Sequence, residues 1–306
     1  MSPDRDRLRD PPSLSELRRT SRCLLCGGRG TLWTANRERQ LVRCSQCRFA
    51  WVPQGVSRTS AGESIYESEQ PIFFTDVYKD YYQDAATVEA ARDKLEWVSR
   101  FVPTGRALLD VGANLGHFIR EAQQRYTAIG IEPSPTVVAW GREHFNVSLE
   151  QGSIEEDNQA YLGRFNAVTM FDVIEHLPDP RAALERCRRY LVTGGHLFIT
   201  TPDAGSPLAR LLGSHWYYID MLQHISMFTT TNLIGLLREC GFRAIERRTI
   251  GRLYRFSYIE RRLRDLSRDS LLLRAAHAAA LPLRLAPEAR VPLNLGDVVG
   301  LVATVD

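Results

Sequence analysis

Apolar residues in the middle of the chain alternate between short runs and helical spacing. RALLDVG (106–112) reads as a strand and GANLG (112–116) as a turn, while HFIREAQQRY (117–126) puts Phe118, Ile119, Ala122 and Tyr126 on one helical face. TAIGIEPS (127–134) is a second strand ending in Glu132. SPTVVAWGREHF follows as a helix with Ser134 as N-cap and Pro135 at its first position. VSLEQGS, FNAVTMFDVIEH (165–176) and GGHLFITTPD (194–203) supply three more strands. Between the last two, DPRAALERCRRYL is a helix preceded by Pro178 and stopped at Gly194 and Gly195. Strands alternating with helices predict an α/β fold with a mostly parallel, doubly wound sheet. Right-handed crossovers put its ligand crevice at the carboxyl ends of the strands.

The front of the chain follows another pattern. Cys23, Cys26, Cys44 and Cys47 form two C-x-x-C pairs, and the stretches LWTA and QLVRC between them suit a hairpin. Each pair can form a tight turn that points two thiolates at one ion, and two such turns complete a tetrahedral zinc site. The seventeen residues between Cys26 and Cys44 fit a zinc ribbon. Gly27 and Gly28 permit the left-handed backbone of a tight knuckle. The competing reading is four free or disulfide-bonded cysteines. Cys187 and Cys240 sit in helix-like patterns and read as core thiols. Arg29, Arg37, Arg39, Arg43 and Arg48 with Trp33, Phe49 and Trp51 suit either a nucleic-acid surface or solvated arginines around a small core. The second is the simpler reading, with the zinc purely structural.

Composition narrows the classes. A net charge of +3 sets no global field for nucleic acid or membrane. Local bias exists: residues 1–60 hold twelve Arg against five acids, and 247–274 hold nine Arg against three. The first residues lack the apolar core of a signal peptide, and no stretch is long and apolar enough to span a bilayer. Paired thiols without a secretion signal read as metal ligands in a cytoplasmic protein. The expected plan is a poorly ordered 1–20, a zinc ribbon at 21–58, a helical lead-in or lid at 59–103, and one domain at 104–306. A basic helical insertion at about 251–294 lies within that last domain.

The first turn of the α/β region is D-x-G-x-N-x-G, from Asp110 to Gly116, and not the G-x-G-x-x-G of dinucleotide folds. Glu132 follows Asp110 by 22 positions, where a ribose diol would be held. With LLDVGANLGHF, GIEPS, FDVIEHLPDPRAALE and LVTGGHLFITTPD in order, residues 104–250 resemble a class I S-adenosylmethionine-dependent methyltransferase. The ribbon and the RCSQCRFAWVP after it resemble a zinc-bearing subgroup that includes sugar and natural-product methyltransferases. GFRAIERRTI (241–250) and LGDVVGLVATVD (295–306) resemble the family's last two strands, the final one antiparallel.

The resemblance implies S-adenosylmethionine as cofactor and assigns roles. Gly112 and Gly116, with Ala113 and Asn114 between them, would let the backbone approach its amino-acid tail. Asp110 would fix the loop and the amino group, and Glu132, followed by Pro133, would take both ribose hydroxyls. Phe171 and Asp172 would line the methyl-transfer face. Asn114 stands where the family usually has glycine, though Asn tolerates a left-handed conformation. Ser153 stands where many members place an adenine-binding Asp, leaving Ile154 to pack on the ring.

Methyl transfer to oxygen, nitrogen or acidic carbon needs positioning and often a base. His176 follows the fourth strand, and His224 lies in the aromatic HWYYIDMLQHISMFTTTNL (215–233), whose HISMFT matches a stretch that closes over the site in related methyltransferases. Either is a candidate base, or a structural histidine, or a substrate donor. Trp216, Tyr217, Tyr218, Tyr66, Tyr78, Tyr81 and Tyr82 are lid and pocket candidates or core aromatics. The basic insertion suits a solvated face or the phosphate of a nucleotide-sugar or carrier. The leading reading is methyl transfer to a small molecule. The alternatives are an RNA methyltransferase gripping its substrate with the ribbon and a silent cofactor-binding scaffold.

Overall fold

Seven strands form one twisted sheet behind the predicted crevice. The computed structural model describes residues 22–35, 40–53, 85–220, 223–255 and 290–306. The large sheet takes strands β4 (Ala107–Val111), β5 (Thr127–Glu132), β6 (Leu149–Gln151), β7 (Phe165–Phe171), β8 (Leu191–Pro202), β10 (Phe242–Thr249) and β13 (Val298–Val305) in the order β10-β13-β8-β7-β4-β5-β6. β4 pairs in parallel with β5 and β7, while β13 runs antiparallel to both β8 and β10. The chain winds outward from β4 to β6 on one side and from β7 to β8 on the other. The switch point, where such folds bind ligands, is therefore the paired carboxyl ends of β4 and β7. β13 is buried at all eight positions, as its VVGLVATV run requires of a strand covered on both faces.

Six α-helices are described: α1 (Ala85–Ser99), α2 (His117–Ala122), α3 (Pro135–Phe145), α4 (Pro180–Tyr190), α5 (Pro207–Leu212) and α6 (Thr230–Glu239). Ser134 caps α3 by accepting from the amide of Val137, with Pro135 just inside. α1 docks through Trp97, which is 1% exposed and packs on Phe198 with centroids 5.5 Å apart. Its Nε1 donates to Glu246 of β10 at 2.9 Å. Burying a ring of that size stabilises the docking by roughly 2–3 kcal/mol.

Several boundaries differ from the sequence reading. α2 ends at Ala122, and Tyr126 reaches the core from the following turns. α4 ends at Tyr190 and β8 starts at Leu191, so Gly194 and Gly195 lie inside a strand and do not stop the helix. The insertion begins and ends as paired strands, β11 (Arg252–Arg255) and β12 (Arg290–Leu293); its interior, residues 1–20, and Tyr66, Tyr78, Tyr81 and Tyr82 lie outside the described residues. Trp216 and Tyr218 are 0% and 3% exposed, so they are core and not a lid: their rings pack face to edge, and Trp216 Nε1 donates to Asp297.

The cysteine module forms its own sheet from β1 (Gly30–Ala35), β2 (Gln40–Cys44) and β3 (Ala50–Trp51). A fourth strand, β9 (Ser226–Met227), comes from the large domain and pairs with β3. The predicted boundary at 58 thus cuts the sequence but not the sheet.

Candidate active site

The turn after β4 is shaped by packing. Gly112 has φ 69°, and a Cβ there would lie 2.6 Å from Cγ2 of Val173. Gly116 has φ 84°, and its Cβ would meet Val147 at 2.8 Å. Both positions need glycine because of the left-handed backbone and of neighbouring side chains. Ala113 fills the space over Gly130, and Asn114 takes φ 50° while its Oδ1 accepts from the amide of Leu115 at 2.7 Å.

Two buried carboxylates flank this turn. Asp110 on β4 accepts from Oγ1 of Thr169, its neighbour on β7, at 2.6 Å. Burial raises its pKa to about 7 against the Thr169 hydrogen bond and the charge of Lys94. Glu132 closes β5 and is 8% exposed; its two oxygens accept from the amides of Asn114 at 3.1 Å and Ser134 at 3.2 Å. Burial raises its pKa too, with those amides opposing. Each oxygen has a second lone pair directed to further donors. Pro133 is half-buried between Glu132 and the cap of α3. Past β6, Ser153 Oγ accepts from the amide of Glu155, and Ile154 is in the core.

The end of β7 carries the other group. The ring of Phe171 packs edge-on against Phe118 at 5.1 Å and tilts toward Trp97 at 6.2 Å, with Lys94 Nζ 4.7 Å from its centroid. Asp172 has φ 60° and receives Arg252 Nη2 at 2.7 Å, with Lys94 Nζ at 4.0 Å and Thr200 Oγ1 at 3.2 Å. Burial opposes its charge, but Arg252, Lys94 and Thr200 together hold its carboxyl below the ordinary value. His176 and His224, 48 positions apart in sequence, meet edge to face with ring centroids 4.8 Å apart. The carbonyl of Gln223 lies 2.9 Å from Nδ1 of His176, and His224 stacks on Tyr218 at 5.6 Å. Burial lowers the pKa of His176, against the Gln223 carbonyl, the Asp172 charge and the Asp172 backbone, and so favours the neutral ring.

Sequence reasoning missed Glu175, Lys94 and Arg252. Glu175 is 2% exposed and accepts from Thr201 Oγ1 at 2.9 Å; burial and then the charge of Asp172 push its pKa to about 8. Its signal was its place beside His176. Arg252 lay in the basic insertion, but 80 positions separate it from Asp172 and nothing local paired the two.

The four module cysteines converge. The Sγ atoms of Cys23 and Cys47, and of Cys26 and Cys44, lie 3.5 Å apart, and all four fall within 4.8 Å of one another. A tetrahedron of thiolates around zinc at about 2.3 Å has edges of about 3.8 Å, so the set fits that ion. The amides of Leu25 and Gln46 point at Cys23 and Cys44 Sγ, both at 3.4 Å, as outer partners of thiolate ligands do. Burial raises Cys23 to about 11. Cys44 also meets burial, yet the amides of Cys47 and Gln46 and the Cys26 thiol hold it near 7. Phe49 and Trp51 are buried, so they are not available to stack on bases, and Arg43 lies over Trp33 at 3.4 Å.

The sequence model of a family described as "Methyltransferase domain" matches residues 83–247, more than half of the 306. A "Ubiquinone biosynthesis O-methyltransferase" of Xanthomonas axonopodis pv. citri is 37% identical over 170 residues, covering 48% of this chain and 69% of the relative. One of the same description from Acinetobacter baumannii is 30% identical over 141 residues, covering 42% and 59%. A solved SAM-dependent methyltransferase from Archaeoglobus fulgidus shares the fold at TM-score 0.51 and 14% identity, over 74% of this chain and 98% of that one. Among the described residues no helix is long and apolar enough to cross a membrane. The two carboxylates beside a glycine turn at the switch point thus sit in a chain that belongs to the class I S-adenosylmethionine-dependent methyltransferases.

Proposed function

We propose that this methyltransferase acts on an oxygen of a small-molecule acceptor and carries one structural zinc on Cys23, Cys26, Cys44 and Cys47. The observation that carries the reading is the meeting of His176 and His224 just beyond the end of β7. The two sequence relatives, both described as O-methyltransferases, point the same way. The burial of Phe49 and Trp51 leaves fewer aromatics for an RNA grip. Thiolate ligation needs a reducing compartment, so the cytoplasm is the proposed location.

When bound, S-adenosylmethionine supplies an electrophilic methyl group on a sulfonium. Glu132 would accept both ribose hydroxyls on its unused lone pairs, and the amide-lined turn Gly112–Gly116, with Ala113 and Asn114, would hold the amino-acid tail above Asp110. Ser153 and Ile154 would border the adenine. The acceptor's hydroxyl must lose its proton as it is methylated, and the His176–His224 pair is assigned that proton. A neutral His176 can take part at pH 7, and the Gln223 carbonyl, which can only accept, holds its Nδ1 as a donor. Arg252 and Lys94 beside Asp172 favour an acceptor that carries a phosphate or carboxylate, including one on a carrier.

The test is methylation with labelled cofactor against phenols, sugars and total RNA. Label is expected in a small hydroxylated acceptor. Label in one RNA species, with binding that weakens steeply as salt rises, would overturn the reading. Metal analysis should give about one zinc per chain, lost in Cys44→Ser.

A further inference from the structure

Both metal-binding knuckles touch the catalytic domain. Arg181 on α4 donates from Nη2 to the carbonyl of Leu25, inside the first knuckle, at 3.1 Å. Asn232 on α6 donates from Nδ2 to the carbonyl of Cys47, a ligand in the second, at 3.3 Å. Between these anchors β3 pairs with β9: Ala50 lies opposite Met227, Trp51 lies opposite Ser226, and the amide of Val52 donates to the carbonyl of Ile225 at 2.9 Å. From the other side the amide of Ile225 donates to the carbonyl of Glu175 at 3.0 Å. His224 is the residue just before this doubly held stretch.

β9 belongs to the module's sheet and not to the seven-stranded one. Two residues of strand pairing cannot keep a register by themselves. Its register comes from β3, from the amide of Ala204 donating to the carbonyl of Phe228 at 2.7 Å, and from burial around it: Phe49 packs on Phe228 with centroids 5.1 Å apart, and Ala50 and Met227 are 0% and 1% exposed. β3, itself two residues long, starts three residues after Cys47. A module this small buries too little apolar surface to fold without its ion. The turn that holds Glu132 shares an apolar core with the module but none of its strand pairing, since β4 and β5 pair only with each other, β6 and β7.

We propose that the four-cysteine module is a positioning element of the active site. Through β3 and β9, an occupied cysteine cluster holds His224 against His176, so metal occupancy sets the geometry of the acceptor side and leaves cofactor binding unchanged. This rests on the role given above to the two histidines.

The experiment strips zinc from the full chain with a chelator and then returns it. Metal removal should raise amide exchange at Ile225, Ser226 and Met227 by about 100-fold, as local opening does. It should also move the ring resonances of His224, while affinity for S-adenosylhomocysteine, by calorimetry, stays within about twofold. Returned zinc should restore both signals. Val52→Pro cuts the link without touching a ligand, because it removes the amide that donates to Ile225. It should keep its zinc and its cofactor affinity yet show the same exchange and resonance changes. Unchanged exchange and an unmoved His224 in metal-free protein would overturn the inference. So would a parallel collapse of cofactor affinity, which would mean general unfolding. Zinc-loaded His224→Ala is assayed separately: normal turnover there, with the exchange response of the wild type intact, would sink the histidine assignment and leave the mechanical coupling standing.

Discussion

The proposed cofactor side and the proposed acceptor side of this enzyme are built in opposite ways. Asp110, the turn to Gly116 and Glu132 span 23 consecutive positions on two adjacent parallel strands, and most of their contacts stay within that span or the neighbouring strand. The acceptor side draws Lys94 from α1, Asp172 to His176 from the end of β7, His224 from the stretch before β9, and Arg252 from β11. A site made from one local unit tolerates change elsewhere. A site made from distant pieces depends on everything that holds those pieces, here including β3 of the cysteine module, which pairs with β9.

The largest effect that tests this contrast is on turnover. His224→Ala should lower it by roughly 10²–10⁴-fold, about 3–5 kcal/mol of barrier, with cofactor affinity almost unchanged. Near-normal turnover in both His224→Ala and His176→Ala would mean that proximity alone, or another base, does the work. On the cofactor side, Gly112→Ala forces a side chain into a left-handed backbone and against Val173. It should cost about 2–4 kcal/mol of stability, read by denaturant unfolding. A neutral outcome there would show that the turn is softer than its packing implies.

If Glu132 holds the ribose as proposed, removing its carboxylate leaves the two hydroxyls without acceptors. Glu132→Ala should weaken S-adenosylmethionine binding by roughly 1–3 kcal/mol in calorimetry. Wild-type affinity in that variant would displace the cofactor from this crevice.

The smallest effect is a slope. Burial raises the pKa of Glu175 from 4.5 to about 8 and that of Asp110 from 3.8 to about 7. Each carboxyl holds its proton more tightly when folded, so its stabilising contribution is complete below the unfolded value and fades as pH rises through the folded one. Glu175→Gln should therefore make the change of Tm between about pH 4.5 and 8 less unfavourable to high pH than in wild type. An identical slope would mean that Glu175 is already ionised in the folded protein.

The strands and helices around the cofactor turn were legible because period-two and helical patterns there agree with the burial each element finally has. Ser134 capped α3 as its neighbours implied, for capping is satisfied within one turn. The two C-x-x-C pairs showed that four thiols would converge for the same reason: each knuckle is local, and only one closure joins them. The end of α4 was misplaced because Gly194 and Gly195 look like helix stops, while the pull of sheet pairing begins at Leu191 opposite Phe165. The contacts of Phe171 with Trp97 and Phe118 were not legible, because those partners are distant in sequence.

From residue order alone came the alternation of elements, the thiol spacing, the buried acids at strand ends and the family they mark, since each is written within about two dozen positions. Folding in three dimensions decided the rest. It put His176 beside His224, gave Asp172 the cations Lys94 and Arg252, and made β9 the fourth strand of a sheet that starts in the cysteine module. Those contacts join segments 48 to 177 residues apart, and no local periodicity encodes which distant side chain fills a given space.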